Sequence, residues 1–271
     1  IKGEKMSAKL IFSDIDGTLI NNELKVMPKT RDAIRHQIIN GNIFIPASAR
    51  LPKGIMTAVG QILKVLPMIA YNGALALDET GRALITRFFN AKEAAEICRY
   101  VEEQNSGAAW NIYSGYVWYS SEKENDWVKK EESIVGVEST KTSIDQIAKL
   151  QGVHKGLIMG KPEEIDRMQK ELAKKYTDLD FVKSSPTLLE IVLKGVSKKS
   201  ALEIVAQEYG VDLKDCIAFG DNYNDEAMLK AVGHPFLMGN APEDLKKQFK
   251  SEDITLDNNH DGIAKALENI K

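Results

Sequence analysis

Two acidic residues near the start of the chain have a spacing that suits chemistry on a phosphate. Asp14 and Asp16 are separated by one residue, follow the apolar run Leu10 to Phe12, and directly precede Gly17 and Thr18. The apolar run predicts a buried strand of a parallel sheet, and such sheets bind ligands beyond the carboxyl ends of their strands. A simple turn with a capping threonine is the alternative for the same residues. The position at a strand end favours a phosphoryl-transfer site.

A second pair of acids follows another apolar run much later in the chain. The run Asp215 to Phe219 ends in Gly220 and Asp221, and Asp225 comes just before a helix expected over Glu226 to Val232. Carboxylates that converge on one sheet edge repel one another unless a cation lies among them. A set of oxygen ligands with few other donors suits Mg²⁺. The two acidic clusters together therefore predict a magnesium site.

Hydroxyl and cationic groups occur at two further element ends. A strand expected over Asn42 to Ala47, made less regular by Pro46, delivers Ser48 and Arg50 to a loop, and these donors suit an oxyanion. Lys198 falls in the first turn of an amphipathic helix, where the helix dipole opposes a cation. Lys198 is therefore either a functional residue or an ordinary surface lysine.

The order of these segments resembles the four motifs of the haloacid dehalogenase superfamily of phosphohydrolases. The matching segments are Asp14-Ile15-Asp16-Gly17-Thr18, Ser48 with Arg50, Lys198, and Gly220-Asp221 with Asn224-Asp225. Further segments resemble the Cof-type branch, whose members have a C2-type (C2B) cap and hydrolyse sugar phosphates and other small phosphate esters: Tyr71-Asn72-Gly73-Ala74, Met238-Gly239-Asn240-Ala241, and Asn258 through Asp261-Gly262. The resemblance covers nearly the whole chain. It departs at Ala49, where the family usually has glycine, and the methyl group would restrict a left-handed loop.

The resemblance implies a role for each matched residue. Asp14 would attack phosphorus, and Asp16 would protonate the leaving oxygen and then take a proton from water. Mg²⁺ would be held by the Asp14 carboxylate, the Asp16 main-chain carbonyl and Asp221. Lys198, oriented by Asp225, would offset the negative charge that opposes the attack. The residues expected to bind the phosphoryl group or substrate are Ile15 through its backbone, Ser48, Arg50, Asn72, Gly73, Lys198 and Asn224.

Composition is that of an ordinary globular protein. The chain has 271 residues, of which 43% are hydrophobic and 28% charged, with a net charge of -3. No apolar stretch reaches the roughly 18 residues of a membrane-spanning helix, and no basic cluster suggests nucleic acid. Cys98 and Cys216 lie in apolar patterns and are expected to be buried thiols, which suits the cytoplasm. Ile1 to Lys5 precede Met6, a plausible natural start, and are left uninterpreted.

The element pattern predicts an α/β fold with a Rossmann-like parallel-sheet core and an inserted α+β cap domain. Strands ending at Asp14, Ser48 and Asn72 alternate with helices after Pro28 and Pro52, as in a parallel sheet with crossover helices. The expected core comprises residues 1–83 and 191–271, and the expected insertion residues 84–190. Such a cap is expected to close over the substrate and select the leaving group. Its expected elements are a helix over Ala91 to Gln104, a hairpin turning at Ser114-Gly115, a helix over Ser143 to Leu150, a strand over Gly156 to Met159, a helix over Glu163 to Tyr176, and strands near Phe181 and Leu188.

Aromatic residues flank the expected hairpin turn in the cap. Tyr113, Tyr116, Trp118 and Tyr119 either contact a sugar or heteroaromatic leaving group or pack the cap sheet, and packing is favoured because aromatic residues are common in strands. The four histidines lack the spacing of a zinc site, and His36 falls on an exposed helical position, so a histidine phosphatase mechanism is disfavoured.

Several functions remain open at this level. The favoured one is a Mg²⁺-dependent phosphatase that hydrolyses small phosphorylated metabolites through an aspartyl-phosphate. A phosphomutase or phosphotransferase of the same superfamily would carry the same paired acids. A non-catalytic protein that binds a phosphate ligand would be expected to have lost Asp14 or Lys198, yet both are present. A glycosidase is disfavoured, because that chemistry requires carboxylates ~5 to 9.5 Å apart across a sugar, a separation not expected of acids one residue apart in a tight loop. The sequence leaves the substrate and the oligomeric state open.

Overall fold

The structure is a computed structural model that describes residues 9–268 and residue 270. Its contacts divide the chain into two compact units. The first contains the chain up to residue 49, residues 55–85 and the chain from residue 197 onwards, and the second contains residues 50–54 and 86–196. The domain boundaries expected at residues 84 and 190 stay a prediction, and Ile1 to Lys5 lie outside the described residues.

The elements are numbered in chain order. The strands are β1 (Leu10–Ser13), β2 (Ile43–Pro46), β3 (Met68–Ala70), β4 (Leu75–Leu77), β5 (Ala83–Thr86), β6 (Ala109–Ser114), β7 (Val117–Ser120), β8 (Thr140–Lys141), β9 (Lys155–Met159), β10 (Leu179–Ser185), β11 (Leu188–Leu193), β12 (Ile217–Gly220) and β13 (His234–Leu237). The helices are α1 (Pro28–Ile39), α2 (Pro52–Val59), α3 (Ala91–Glu103), α4 (Asp126–Val135), α5 (Ile144–Ile147), α6 (Pro162–Lys175), α7 (Lys198–Glu208), α8 (Tyr223–Leu229), α9 (Glu243–Lys246) and α10 (Gly262–Leu267).

The first unit is built on a parallel sheet in the order β13-β12-β1-β2. Every residue of β1 and β12 is buried, which explains why these strands are continuous apolar runs rather than alternating ones. A parallel bridge between Ala47 and Ile69 links the end of β2 to β3, which belongs to a smaller sheet with β4 and β5. The predicted α/β fold with a parallel core sheet is confirmed.

The two acid-bearing loops leave this sheet side by side. In the register of β1 and β12, Ser13 lies opposite Phe219, so the chain reaches Asp14 and Asp221 at the same sheet edge. The backbone amide of Asp14 donates to the carbonyl of Phe219 at 3.0 Å, which extends the pairing to the acid itself. Distant parts of the sequence are thus brought to one edge by strand pairing alone.

The second unit is built on a six-stranded sheet in the order β10-β11-β9-β6-β7-β8. All its neighbours are antiparallel except β7 and β8. Helices α3 and α6 bury an apolar stripe in its core, close to the bounds expected from the sequence. Helix α5 is shorter than predicted, and α4, which the sequence analysis did not predict, begins at an Asn125 cap and ends at Gly136.

The hairpin aromatics divide between the interior and the surface. Tyr113 and Trp118 are buried and stack with ring centroids 5.5 Å apart, and the Trp118 indole donates to Asn111 Oδ1 at 2.9 Å. Tyr116 is exposed in the turn. Packing within the sheet, the favoured interpretation, therefore describes Tyr113 and Trp118.

Two further expectations concern the thiols and the membrane. Cys98 and Cys216 are both buried and free, as predicted. Within the described residues, each helix is too short or too polar to span a lipid bilayer.

Candidate active site

Lys198 is a buried cation between two carboxylates. Its ammonium donates to Asp14 Oδ1 and to Asp225 Oδ1, both at 2.6 Å, and only 2% of the residue is exposed. It is the first residue of α7, whose start is fixed by a reciprocal capping pair between Ser197 and Ser200. The helix dipole and burial both disfavour a cation here, so the two carboxylates must compensate it. The surface-lysine alternative is wrong.

The start of α7 packs against a turn with unusual backbone angles. Tyr71, Asn72 and Gly73 have φ of 53°, 54° and 110°. A Cβ on Gly73 would lie 2.4 Å from the Ser197 carbonyl oxygen, so only glycine allows this approach. Gly73 thus lets the turn pack against the start of the helix that carries Lys198, and its expected contact with substrate stays a prediction.

Asp225 uses both carboxylate oxygens within the protein. One oxygen accepts from Lys198, and the other accepts from the backbone amides of Asp221 at 3.1 Å and Asn222 at 3.2 Å. The side chain is fully buried and belongs to the capping box that begins α8. Asp225 therefore links the loop that carries Asp221 to the lysine, while its supporting role in the reaction stays a prediction.

Asp221 is held by two side-chain donors. The Thr18 hydroxyl donates to Oδ1 at 2.8 Å, and the Asn240 amide donates to Oδ2 at 3.3 Å. A Cβ on Gly17 would lie 2.4 Å from Asp221 Oδ2, so glycine with its φ of 80° is required at this close approach. Residues of the first acidic loop thus contact the Asp221 carboxylate of the second and hold the two loops together.

Negative charge is concentrated at this edge. Oxygens of Asp14, Asp221 and Asp225 all lie within 4.8 Å of one another. Burial, reinforced by the charge of Asp225, raises the pKa of Asp14 well above its usual range despite the opposing effect of Lys198. Burial also raises the pKa of Asp221 to about 6. The pKa of Lys198 is raised although burial opposes it, because Asp14 and Asp225 favour the charged form. The cluster is compatible with a divalent metal ion, which would supply the missing positive charge.

The remaining predicted residues differ in their surroundings. Asp16 follows Asp14 in a turn with its side chain exposed, and Ile15 between them is buried. Ser48 is buried at the end of β2; its amide donates to the Ile69 carbonyl, and its own carbonyl accepts from the Asn72 amide.

Three other positions complete the comparison with the sequence predictions. Asn224 is exposed in the first turn of α8. Arg50 is half-buried and belongs to the second unit. Ala49 lies in a bend without a positive φ, so its methyl group causes none of the strain expected for a left-handed loop.

Two side-chain contacts to Asp221 were not predicted from the sequence. Thr18 and Asn240 appeared only within segments that resemble family motifs. They lie 203 and 19 residues from Asp221, and no spacing rule connects either of them to that acid. The only sequence signal was that each lies in a segment resembling the family.

Comparison with known proteins places the chain in a family. The sequence model of the haloacid dehalogenase-like hydrolases matches residues 11–267. A protein of Haemophilus influenzae named "Putative phosphatase" is 33% identical over 97% of this chain and 98% of its own length. The 5-amino-6-(5-phospho-D-ribitylamino)uracil phosphatase YcsE of Bacillus subtilis is 27% identical over 98% of this chain and 97% of its own.

A solved structure agrees with the sequence comparison. The crystal structure of TM0651 from Thermotoga maritima superposes with a TM-score of 0.88 at 29% identity, covering 97% of this chain and 98% of that one. The similarity thus includes both the parallel sheet that bears the acidic cluster and the second sheet. Because the family model matches residues 11–267 and the fold is shared over almost the whole chain, the chain belongs to the haloacid dehalogenase-like hydrolases and is a phosphoric monoester hydrolase of their Cof-type branch.

Proposed function

We propose that this hydrolase cleaves small phosphate monoesters through a covalent phosphate on Asp14, with Mg²⁺ as its metal. The observation that carries the proposal is the buried Lys198 ammonium between Asp14 and Asp225, with Asp221 beside them. A buried lysine clamped between two acids has little value as a stabilising element, since replacement of such groups by apolar residues is often neutral or stabilising. Its presence beside Asp14 supports a role in chemistry at that carboxylate.

The donor set at the sheet edge supports Mg²⁺. Asp225 is fully buried and accepts three hydrogen bonds, from Lys198 and two backbone amides, whereas Asp221 is half-buried and accepts one on each oxygen. We therefore assign the side chains of Asp14 and Asp221 to the metal, joined by the main-chain carbonyl of Asp16. An all-oxygen set that leaves room for water and phosphate oxygens is the environment that Mg²⁺ prefers. When bound, the ion would neutralise charge on the phosphoryl group and lower the pKa of both aspartates.

The side chains of the site then have separate roles in two successive displacements at phosphorus. In the first, an Asp14 oxygen forms a bond to phosphorus as the ester P–O bond breaks, and Asp16 gives its proton to the leaving oxygen. In the second, water attacks phosphorus, Asp16 takes the water proton, and the bond to Asp14 breaks to release inorganic phosphate. Lys198 offsets the negative charge that opposes the approach of Asp14 to the phosphoryl group, and in the second displacement it stabilises the charge that returns to Asp14 as its bond to phosphorus breaks.

Binding of the transferring group is assigned to the same loops. Ser48 and the backbone around Ile15 are proposed to contact the phosphoryl oxygens, with Asn72 and Asn224 as further contacts. The exposed side chain of Asp16 suits proton exchange with a leaving group that extends into solvent.

The substrate class is proposed to be small phosphorylated metabolites. The relative named for 5-amino-6-(5-phospho-D-ribitylamino)uracil makes that compound one member of a test panel, together with sugar phosphates and nucleotides. Phosphate release would be measured for each compound with Mg²⁺ and with excess chelator. Activity that is lost in chelator and restored by Mg²⁺ is expected.

The nucleophile is tested by covalent trapping. Wild-type protein is mixed with a substrate carrying labelled phosphate, quenched in acid and digested, and the label is expected on the peptide that contains Asp14. Asp14→Asn keeps the side-chain volume and should carry no label, whereas the exposed Asp212→Asn should behave as wild type. Label on a peptide containing Asp221 or Asp225 instead would overturn the assignment.

A further inference from the structure

We infer that Asn240 is a positioning residue that holds the Asp221 carboxylate in place for the metal, an inference that rests on the metal site proposed above. Asn240 lies in the loop after β13 and is itself exposed. Its side-chain amide donates to the Gly17 carbonyl at 2.8 Å and to Asp221 Oδ2 at 3.3 Å. One amide group therefore joins the loop of the proposed nucleophile to the proposed metal ligand.

The orientation of this amide is fixed by a third segment of the chain. Asn240 Oδ1 accepts from the backbone amide of Asn258 at 3.2 Å. Because a backbone N–H can only donate, the oxygen of Asn240 must face Asn258, and its NH₂ group must face Gly17 and Asp221. If the amide were reversed, its NH₂ group would face the N–H of Asn258, and its oxygen would face the Gly17 carbonyl and the Asp221 carboxylate.

Asn258 is a firm support for this arrangement. Its side chain is 5% exposed and donates to the Ile20 carbonyl at 3.0 Å and to Asn22 Oδ1 at 3.2 Å. The same segment thus holds both Asn240 and the loop that follows Asp16. Movement of Asn240 away from Asp221 would require these contacts to change as well.

Each carboxylate oxygen of Asp221 therefore accepts a hydrogen bond from a different side chain. Thr18 donates to Oδ1 and Asn240 to Oδ2, which restricts rotation of the carboxylate. Hydrogen-bond partners that orient a metal ligand are typically worth about 10- to 100-fold in metal affinity or activity. The 3.3 Å contact and the exposure of Asn240 place the expected effect at the lower end of that range.

Asn259 supplies a matched control. Its side chain accepts from the Asn22 backbone amide at 3.0 Å, so it joins the same C-terminal segment to the same loop. The side-chain donors to Asp221 are Thr18 and Asn240, so replacement of Asn259 removes an interloop hydrogen bond without removing a donor to the acid. A general loosening of the loop would affect both variants, whereas loss of the Asp221 donor affects only Asn240.

The test measures Mg²⁺ binding directly, by titration calorimetry of metal-free full-length protein. Asn240→Ala is expected to weaken Mg²⁺ binding about tenfold and Asn259→Ala by less than about twofold, with equal unfolding midpoints in urea. Asn240→Ser provides a second test if the alanine variant fails to fold.

The reference variant Asp221→Asn tests the proposed metal site separately from the role of Asn240. It is expected to lose Mg²⁺ binding. If Asp221→Asn loses binding while Asn240→Ala binds as tightly as Asn259→Ala, the role of Asn240 is overturned and the metal site stands. If Asp221→Asn binds Mg²⁺ like wild type, the proposed metal site is overturned and the role of Asn240 with it.

Discussion

The ammonium of Lys198 lies 2.6 Å from the carboxylate of Asp225, and their side chains are only 1% and 0% exposed. The same carboxylate binds two amides of the loop that carries Asp221. This pair therefore couples the position of the lysine to the position of the second acidic loop.

Replacement of Lys198 should lower the unfolding free energy, and a second substitution should restore part of the loss. Lys198→Met leaves the carboxylates of Asp14 and Asp225 buried without their cation, which should cost about 3 to 5 kcal/mol of unfolding free energy. Adding Asp225→Asn removes one stranded charge and keeps an oxygen for the backbone amides, so part of that loss should return. Urea denaturation of the four proteins in the cycle measures the coupling.

Activity in the same cycle should not recover. Loss of the Lys198 charge is expected to lower kcat by at least about a hundredfold, because a donor at the developing charge is missing in both variants. Strictly additive stability losses, or a double variant with near-normal kcat, would contradict the coupling.

Gly17→Ala should damage the site beyond its backbone strain. Gly17 has φ of 80°, and a Cβ there would collide with Asp221 Oδ2. Gly81→Ala is the control, since Gly81 has φ of 84° and its Cβ would meet no atom within 4 Å among the described residues. Both variants should lose about 1 to 2 kcal/mol of stability from the left-handed conformation, but only Gly17→Ala should lose phosphatase activity. Equal activity in the two variants, measured on one substrate at saturating Mg²⁺, would contradict the steric argument.

Gly73→Ala should act through the helix that carries Lys198. Its Cβ would press on the Ser197 carbonyl oxygen at 2.4 Å and displace the start of α7. The expected result is a fall in kcat, because the lysine moves relative to Asp14. The control is Gly41→Ala. Gly41 has φ of 90°, and an added Cβ there would meet no atom within 4 Å among the described residues. If Gly73→Ala instead raises KM alone, direct contact between Gly73 and the substrate is the better explanation.

His154 should make the stability of the protein depend on pH. Burial lowers its pKa from 6.5 to about 4, while Gly115 N donates to Nδ1 and Nε2 contacts the Thr86 hydroxyl. Between these two pKa values the unfolded chain binds more protons than the folded one, so unfolding free energy falls as the pH is lowered from 6.5 towards 4. The contribution of this residue is at most about 3 kcal/mol.

His154→Asn tests this dependence, because its side-chain oxygen can still accept from Gly115 and carries no titratable proton. Urea denaturation at several pH values between 4 and 7 should show a flatter profile for the variant than for wild type. Parallel profiles would show that His154 is not the group responsible.

The sequence predicted those parts of the site that rest on local patterns. Continuous apolar runs placed Asp14 and Asp221 at strand ends, and helix periodicity placed Lys198 at the start of a helix. Contacts such as Gly17 with Asp221 or Gly73 with Ser197 join residues far apart in sequence, and no local pattern encodes them. Helix α4 was missed because its described buried residues are only Val128 and Val135, too few to produce an apolar stripe.

The pairing of β1 with β12 has a consequence for synthesis of the protein on the ribosome. Ile11 emerges early, but its partner Ile217 is made only after the whole second unit has been translated. Loop closure over such a distance must precede any contact that rewards it. The nascent chain therefore carries the Asp14 carboxylate without its lysine and without the second acidic loop until the last part of translation. We expect the ribosome-bound protein to be unable to hydrolyse phosphate esters, so that premature termination before α8 yields an inert chain.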